Sequence, residues 1–141
     1  MSQNAHKNWL YVTVFVIWSF APVFFLGTME ATSEPARFTL DLLSWPLNGE
    51  TTYDSSNARL LSALTAGFLL GWGIMVLLLR NWFYDETPEK VRKTVLISIL
   101  CWFFLDSLGS ITSGSTSNAF FNILVLLISV GPLWCPAKKI A

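Results

Sequence analysis

Four long apolar stretches constrain this chain more than any other feature of its sequence. A run of about 18 or more apolar residues can cross the hydrocarbon core of a bilayer as a helix. The sequence therefore predicts an all-α fold: a four-helix transmembrane bundle that forms a single integral membrane domain over residues 1–141. The fourth stretch has only 15 residues, so its helix is expected to include a further turn from the Ser/Thr-rich segment before it. The predicted spans are Trp9–Leu26, Leu60–Leu79, Thr94–Ile111 and Ala119–Leu133.

The composition supports a membrane location. Hydrophobic residues make up 53% of the chain and charged residues only 13%, whereas a soluble domain carries about 25% charged residues. The formal net charge is zero, so no nucleic-acid partner is expected. The expected partners are the lipid bilayer and either a larger membrane complex or further copies of the chain.

The basic residues lie mostly on one side of the predicted spans. By the positive-inside rule, that side is cytoplasmic. We therefore expect a multi-pass protein of a cell inner membrane, with both termini and the middle loop in the cytoplasm. Seven of the nine basic residues lie on this side: Lys7, Arg80, Lys90, Arg92, Lys93, Lys138 and Lys139. The other two, Arg37 and Arg59, lie on the opposite side.

The first outer loop, Gly27–Asn57, is long enough to hold structure of its own. Ser33-Glu34-Pro35 is a helix start signal, and apolar residues such as Phe38 and Leu42 then recur at helical spacing until Pro46. This pattern predicts a short amphipathic helix in the outer interface. A lid over an outward-facing cavity is the alternative interpretation.

Two shorter connections complete the predicted topology. Thr87-Pro88-Glu89 resembles an N-cap followed by a first helical turn, so the third helix is expected to begin near Pro88. Thr112–Asn118 is short, uncharged and rich in turn residues. It predicts that the third and fourth spans form an antiparallel hairpin.

Asp106 is the only acidic or basic residue inside a predicted span. It lies thirteen residues beyond Lys93, which places it about 20 Å into the membrane. A charged residue at mid-helix costs about 2.5–3.5 kcal/mol, so Asp106 should face protein or water and have partners. The candidate partners, which with Asp106 form a predicted intramembrane polar cluster, are Arg59, Ser107, Ser110, Asn118 and Asn122.

Two roles for Asp106 follow from the sequence. It could be a protonatable site in an ion path or an anchor for a cationic ligand. Alternatively, an Asp106–Arg59 pair or a hydrogen-bond cluster around Asp106 could fix helix packing. A proton relay needs several ionisable groups in series, and the spans contain one acidic or basic residue. The packing role is therefore favoured.

The second span carries small residues at four-residue spacing. Ala63, Gly67 and Gly71 lie on one helical face, and such a face lets another helix backbone approach closely. We expect this face to pack within the chain, against the third or fourth span, although a second copy could also cover it. In the first span, Pro22 is expected to kink the helix.

The residues needed for most membrane chemistry are absent from the sequence. The only histidine is His6, outside the first predicted span, which excludes bis-histidine haem within the bundle and a serine–histidine hydrolase. No metal site, cofactor or catalytic residue is predicted, and enzyme activity is not favoured.

Two segments resemble small, uncharacterised four-span proteins of bacterial inner membranes. They are Arg59–Gly73, RLLSALTAGFLLGWG, and Trp102–Ser110, WFFLDSLGS. The resemblance implies location and span number, and it implies no activity, cofactor or binding residue.

The sequence favours a structural or accessory component of a membrane complex. Small size and the Ala63/Gly67/Gly71 face motivate this hypothesis. The alternatives are a small transporter or channel that uses Asp106, and a lipid- or quinone-binding membrane protein.

Overall fold

A computed structural model describes residues 2–137, which form five α-helices and no β-strand. Short 3-10 turns lie at Glu30–Thr32 and Gly131–Trp134. Lys138 and Lys139, which the orientation argument counts, lie outside the described residues. The helices are α1 (Gln3–Leu26), α2 (Glu34–Ser44), α3 (Ser56–Trp82), α4 (Pro88–Thr112) and α5 (Thr116–Val130).

Four of these helices are long and apolar enough to cross a membrane: α1, α3, α4 and the segment Thr116–Trp134, which joins α5 to its following turn. The four predicted apolar helices are thus confirmed, and each begins before its apolar stretch. The Ser55 hydroxyl caps α3 by accepting the Ala58 N–H at 3.1 Å. Helix α4 begins at Pro88 as predicted, but the Thr87 hydroxyl donates to the Phe83 carbonyl instead of capping the helix.

Helix α1 lies at the centre of the arrangement. It packs along α3 on one side and α5 on the other, and α4 packs mainly on α5. Helices α3 and α4 follow each other in sequence but have few close backbone contacts. The space between them forms part of a cavity that all five helices line.

The most tightly packed part of the core lies between α1 and its neighbours. Trp18 of α1 packs directly over Gly73 of α3, where an added Cβ would lie 2.1 Å from the indole Nε1 atom. The same indole donates to the Leu70 carbonyl at 3.2 Å. Fully or almost fully buried apolar residues fill the remaining core, among them Leu10, Val14, Val76, Val95, Ile99 and Val130.

The predicted intramolecular packing of the small-residue face is wrong. Ala63, Gly67 and Gly71 are exposed, and a Cβ added at Gly67 or Gly71 would meet no described atom within 4 Å. The reason is that α3 turns another face, the one with Gly73, toward α1. Another molecule could still cover the small-residue face.

The helix predicted in the first long loop is present as α2. The buried Asp41 carboxylate closes the segment after it, accepting the Gly49 N–H at 3.0 Å and the Thr51 hydroxyl at 2.9 Å. The Ser117 hydroxyl donates to the Leu43 carbonyl, which ties α2 to α5. Helix α2 is thus fixed across one end of the bundle, called here the α2 end.

Candidate functional site

A cluster of polar side chains joins α4 to α5 near the α2 end. Asp106 Oδ2 accepts hydrogen bonds from Asn122 Nδ2 at 2.6 Å and from Asn118 Nδ2 at 3.1 Å. The two amides also donate to hydroxyls, Asn122 to Ser107 at 3.1 Å and Asn118 to Ser110 at 2.8 Å. Five of the six residues predicted for the cluster therefore meet.

The hairpin between α4 and α5 brings these residues together. Asp106 and Ser110 are one turn apart on α4, and Asn118 and Asn122 are one turn apart on α5, so each pair shares a helical face. The connection between the helices spans only Ser113–Ser115. The two faces therefore lie directly opposite each other.

Arg59 is the predicted member that does not join the cluster. Among the described residues, Asp106 forms no ion pair, and its partners are the two amides. Arg59 lies in the first turns of α3, and α3 packs on α1 and has few close backbone contacts with α4. The predicted Asp106–Arg59 pair is therefore wrong.

Asp106, Asn118 and Asn122 line a cavity of about 720 Å³, called here the α3–α4 cavity. All five helices contribute to its wall, which is largely apolar and aromatic. Asp106 is the only charged side chain among the described residues that line it. Its aromatic lining consists of Phe20, Phe24, Tyr53, Trp72, Trp102 and Phe121.

The cavity is bounded at both of its ends. Trp72 of α3 and Trp102 of α4 form its floor, with ring centroids 6.2 Å apart and planes inclined at 49°, and Trp72 Nε1 donates to the Ser98 hydroxyl at 3.1 Å. Helix α2 forms the roof through Thr39 and Leu43.

Two polar groups at the cavity have no partner within residues 2–137. The Ser62 hydroxyl on α3 is buried and makes no hydrogen bond. Both asparagine amides donate to Oδ2 of Asp106, which leaves Oδ1 without a donor. Asp106 is half-buried and lines the cavity, so Oδ1 can accept a hydrogen bond from a ligand there, whereas the Ser62 hydroxyl oxygen is itself fully buried.

Tyr53 belongs to the same wall, in the segment between α2 and α3. Its ring is buried, and burial raises the pKa of the Tyr53 phenol above its ordinary value. The group is therefore a neutral hydroxyl at physiological pH.

A second polar network lies at the opposite end of the bundle. Arg92 is buried and donates to both carboxylate oxygens of Glu89, at 2.6 and 2.8 Å. Arg80 donates to the Lys7 carbonyl at 2.9 Å, and its guanidinium carbon lies 3.5 Å from the centroid of the Tyr11 ring. The Arg80 contacts join α3 to α1, whereas the Arg92–Glu89 pair lies within α4.

Sequence reasoning gave Ser62 no role, and it offered a cavity only as an alternative, beneath a lid formed by the first outer loop. The sequence does carry a signal for Ser62, since Ser62 and Thr65 are small polar residues in the second span and both line the cavity. The described residues contain no group of three or more His, Cys, Asp or Glu that could hold a metal ion.

Comparisons of the chain with protein-family models, with curated proteins and with solved structures give no match. The resemblance to small inner-membrane proteins therefore stays a prediction, and the functional argument depends on the geometry of the cavity.

Proposed function

We propose that this chain is a multi-pass membrane protein that binds an amphiphile, of the lipid or quinone class, in the α3–α4 cavity. The observation that carries the proposal is the cavity itself: about 720 Å³, with apolar walls and the Asp106 cluster as its polar part. Ligand pockets typically have volumes of roughly 300–1,000 Å³ and combine apolar walls with a few convergent polar groups.

The proposal includes a transmembrane bundle, with the four long helices as spans. Large apolar side chains on these helices face outward; Phe68 and Leu105 are 76% and 75% exposed. Such a surface is costly in water and favourable against acyl chains. The basic residues favour an inner membrane with both termini in the cytoplasm, which makes the α2 end the outer end.

In this arrangement α2 lies in the outer interface, parallel to the membrane surface. Phe38 and Trp45 at its exposed side support this placement, because aromatic side chains are favoured at the headgroup level. Helix α2 would then separate the cavity from the aqueous side. A ligand would therefore enter between α3 and α4, from the bilayer.

A cavity-filling variant tests the proposal. Val125 lines the cavity, and Val125→Phe should occupy part of it. Leu124→Phe is the matched control, since Leu124 is adjacent on α5 and exposed. Protein purified from native membranes in mild detergent is analysed for bound lipids by mass spectrometry. We expect a stoichiometric amphiphile in the wild type and in Leu124→Phe, and its loss in Val125→Phe. Equal lipid content in all three proteins would contradict the proposal.

A second candidate function is an accessory role in a membrane complex, or in a homo-oligomer. The exposed Ala63/Gly67/Gly71 face favours it, because small residues in this register allow close helix contact in lipid. Gly67→Leu should release a stoichiometric partner or copy on purification. Gly109→Leu, at an equally open glycine of α4, should retain it. If both variants keep the same bound partner or copy as the wild type, or if none is bound, the accessory role is contradicted.

A transporter or channel has less support. Asp106 is the only charged side chain on the described cavity wall, and coupled transport usually uses several ionisable groups in series.

A further inference from the structure

We propose that the polar end of the ligand is a protonated amine and that Asp106 is its counter-ion. This inference rests on the proposed amphiphile binding and names the chemical class of the ligand. It comes from the charge of the cavity, from the free acceptor atom of Asp106 and from the aromatic rings beside Asp106.

The first argument is charge. The described lining residues include one carboxylate and no lysine or arginine, and Asp106 has no ion-pair partner among residues 2–137. Asp106 is half-buried and its hydrogen bonds come from neutral amides, so a cation in contact with Oδ1 would add a favourable charge–charge interaction. A phosphate headgroup would instead bring a second negative charge to a wall without a basic residue.

The second argument is the type of polar atom that is left free. Asn118 and Asn122 each donate an amide N–H to Oδ2 of Asp106. This leaves Oδ1, on a half-buried side chain that lines the cavity, as a free acceptor. An alkylammonium carries donors only, up to three N–H groups, and acceptors are what it requires.

The third argument is the aromatic surface. Trp102 is one turn before Asp106 on α4, so the two side chains share a helical face, and both line the cavity and the shallower groove beside it. Indole is the best aromatic partner for a cation, above all at a site shielded from water. Trp72 lies next to Trp102 in the floor. A cationic group bound at Oδ1 therefore has aromatic faces nearby.

Three probes with the same hydrocarbon chain test the inference: dodecylamine, 1-dodecanol and dodecyl phosphate. The purified full chain is titrated with each probe in a non-ionic detergent at neutral pH, and bound probe is counted by native mass spectrometry. We expect one dodecylamine per protein, bound at least about tenfold more tightly than dodecanol, with dodecyl phosphate the weakest.

Asp106→Asn removes the charge and keeps the shape of the side chain. It should bring the affinity for dodecylamine down to that for dodecanol and change dodecanol binding by less than about twofold. Asp54→Asn is the matched control. It removes the same charge from an exposed carboxylate in the segment before α3, outside the cavity lining, and should leave the ranking of the probes unchanged.

The outcomes separate the inference from the function on which it rests. Equal binding of dodecylamine and dodecanol to the wild type would overturn the inference and leave amphiphile binding intact. A preference for the amine that survives Asp106→Asn would also overturn it. Failure of all three probes to bind would remove both. If Asp106→Asn does not fold, the wild-type ranking still decides, since an alcohol or phosphate that binds as tightly as the amine overturns the inference.

Discussion

Arg92 Nη1 lies 2.6 Å from the backbone carbonyl oxygen of Leu133. This hydrogen bond connects the first turns of α4 to the 3-10 turn that follows α5. The carbonyl lies at the end of a helical segment, where oxygens lack partners within the helix. A residue from a basic run thus satisfies a buried acceptor at the end of the chain's last described helix.

Replacement of Arg92 by methionine should destabilise the fold. Arg92→Met keeps most of the apolar stem but leaves the Leu133 carbonyl without its donor, and a buried unsatisfied group costs about 1–3 kcal/mol. We expect the free energy of unfolding in mixed micelles to fall by about that amount. Lys93→Met, at an exposed neighbour, should change it by less than about 0.5 kcal/mol. Equal effects of the two substitutions would contradict the structural role of Arg92.

Two glycines of α3 should respond differently to the same substitution. Gly73→Ala places a methyl group against the Trp18 indole, and overpacking of this kind costs about 1–3 kcal/mol. Gly71→Ala adds the same group in open space and should not destabilise the protein. Thermal unfolding in detergent, followed by circular dichroism, distinguishes them. A lower midpoint for Gly71→Ala than for Gly73→Ala would mean that α3 packs on α1 through a different face.

Replacement of His6 by leucine should stabilise the fold. Its side chain is buried, and neither ring nitrogen has a hydrogen-bond partner among the described residues. An unmet polar group costs about 1–3 kcal/mol when buried, so His6→Leu should raise the free energy of unfolding by about 1 kcal/mol. His6→Asn keeps a polar group there and should bring no gain. A His6→Leu protein that is less stable than the wild type would show that the imidazole has a favourable contact.

The proposed orientation can be measured by cysteine labelling. In a background with Cys101 and Cys135 replaced by alanine, single cysteines are introduced at Thr52 and at Glu86, both exposed. A membrane-impermeant maleimide should label Thr52→Cys in cells with a permeabilised outer envelope. Glu86→Cys should react only in inverted vesicles. The reverse pattern would place the α2 end in the cytoplasm.

The helices themselves could be predicted from the sequence. Apolar length is a local property, and Pro88 and the Ser33-Glu34-Pro35 signal marked helix starts correctly. The contact of Asp106 with Asn118 and Asn122 could also be predicted. A short connection forces Asp106 to face Asn118 and Asn122, whatever the rest of the fold does.

The neighbours of α3 could not be predicted in the same way. Ala63, Gly67, Gly71 and Gly73 offer two different small faces, and the sequence alone does not determine which one meets a bulky residue such as Trp18. Because α3 packs on α1 through Gly73, Arg59 does not pair with Asp106.

The central position of α1 also has a consequence for biosynthesis. Helix α1 is translated before α3, α4 and α5, and it is the scaffold on which α3 and α5 dock. Helices α1 and α3 can therefore associate while the α4–α5 hairpin is still being translated. The hairpin then completes the structure as a preformed unit. Without α1, the remaining helices would be joined mainly through the contact of α2 with α5 and the contacts of Trp72 with α4.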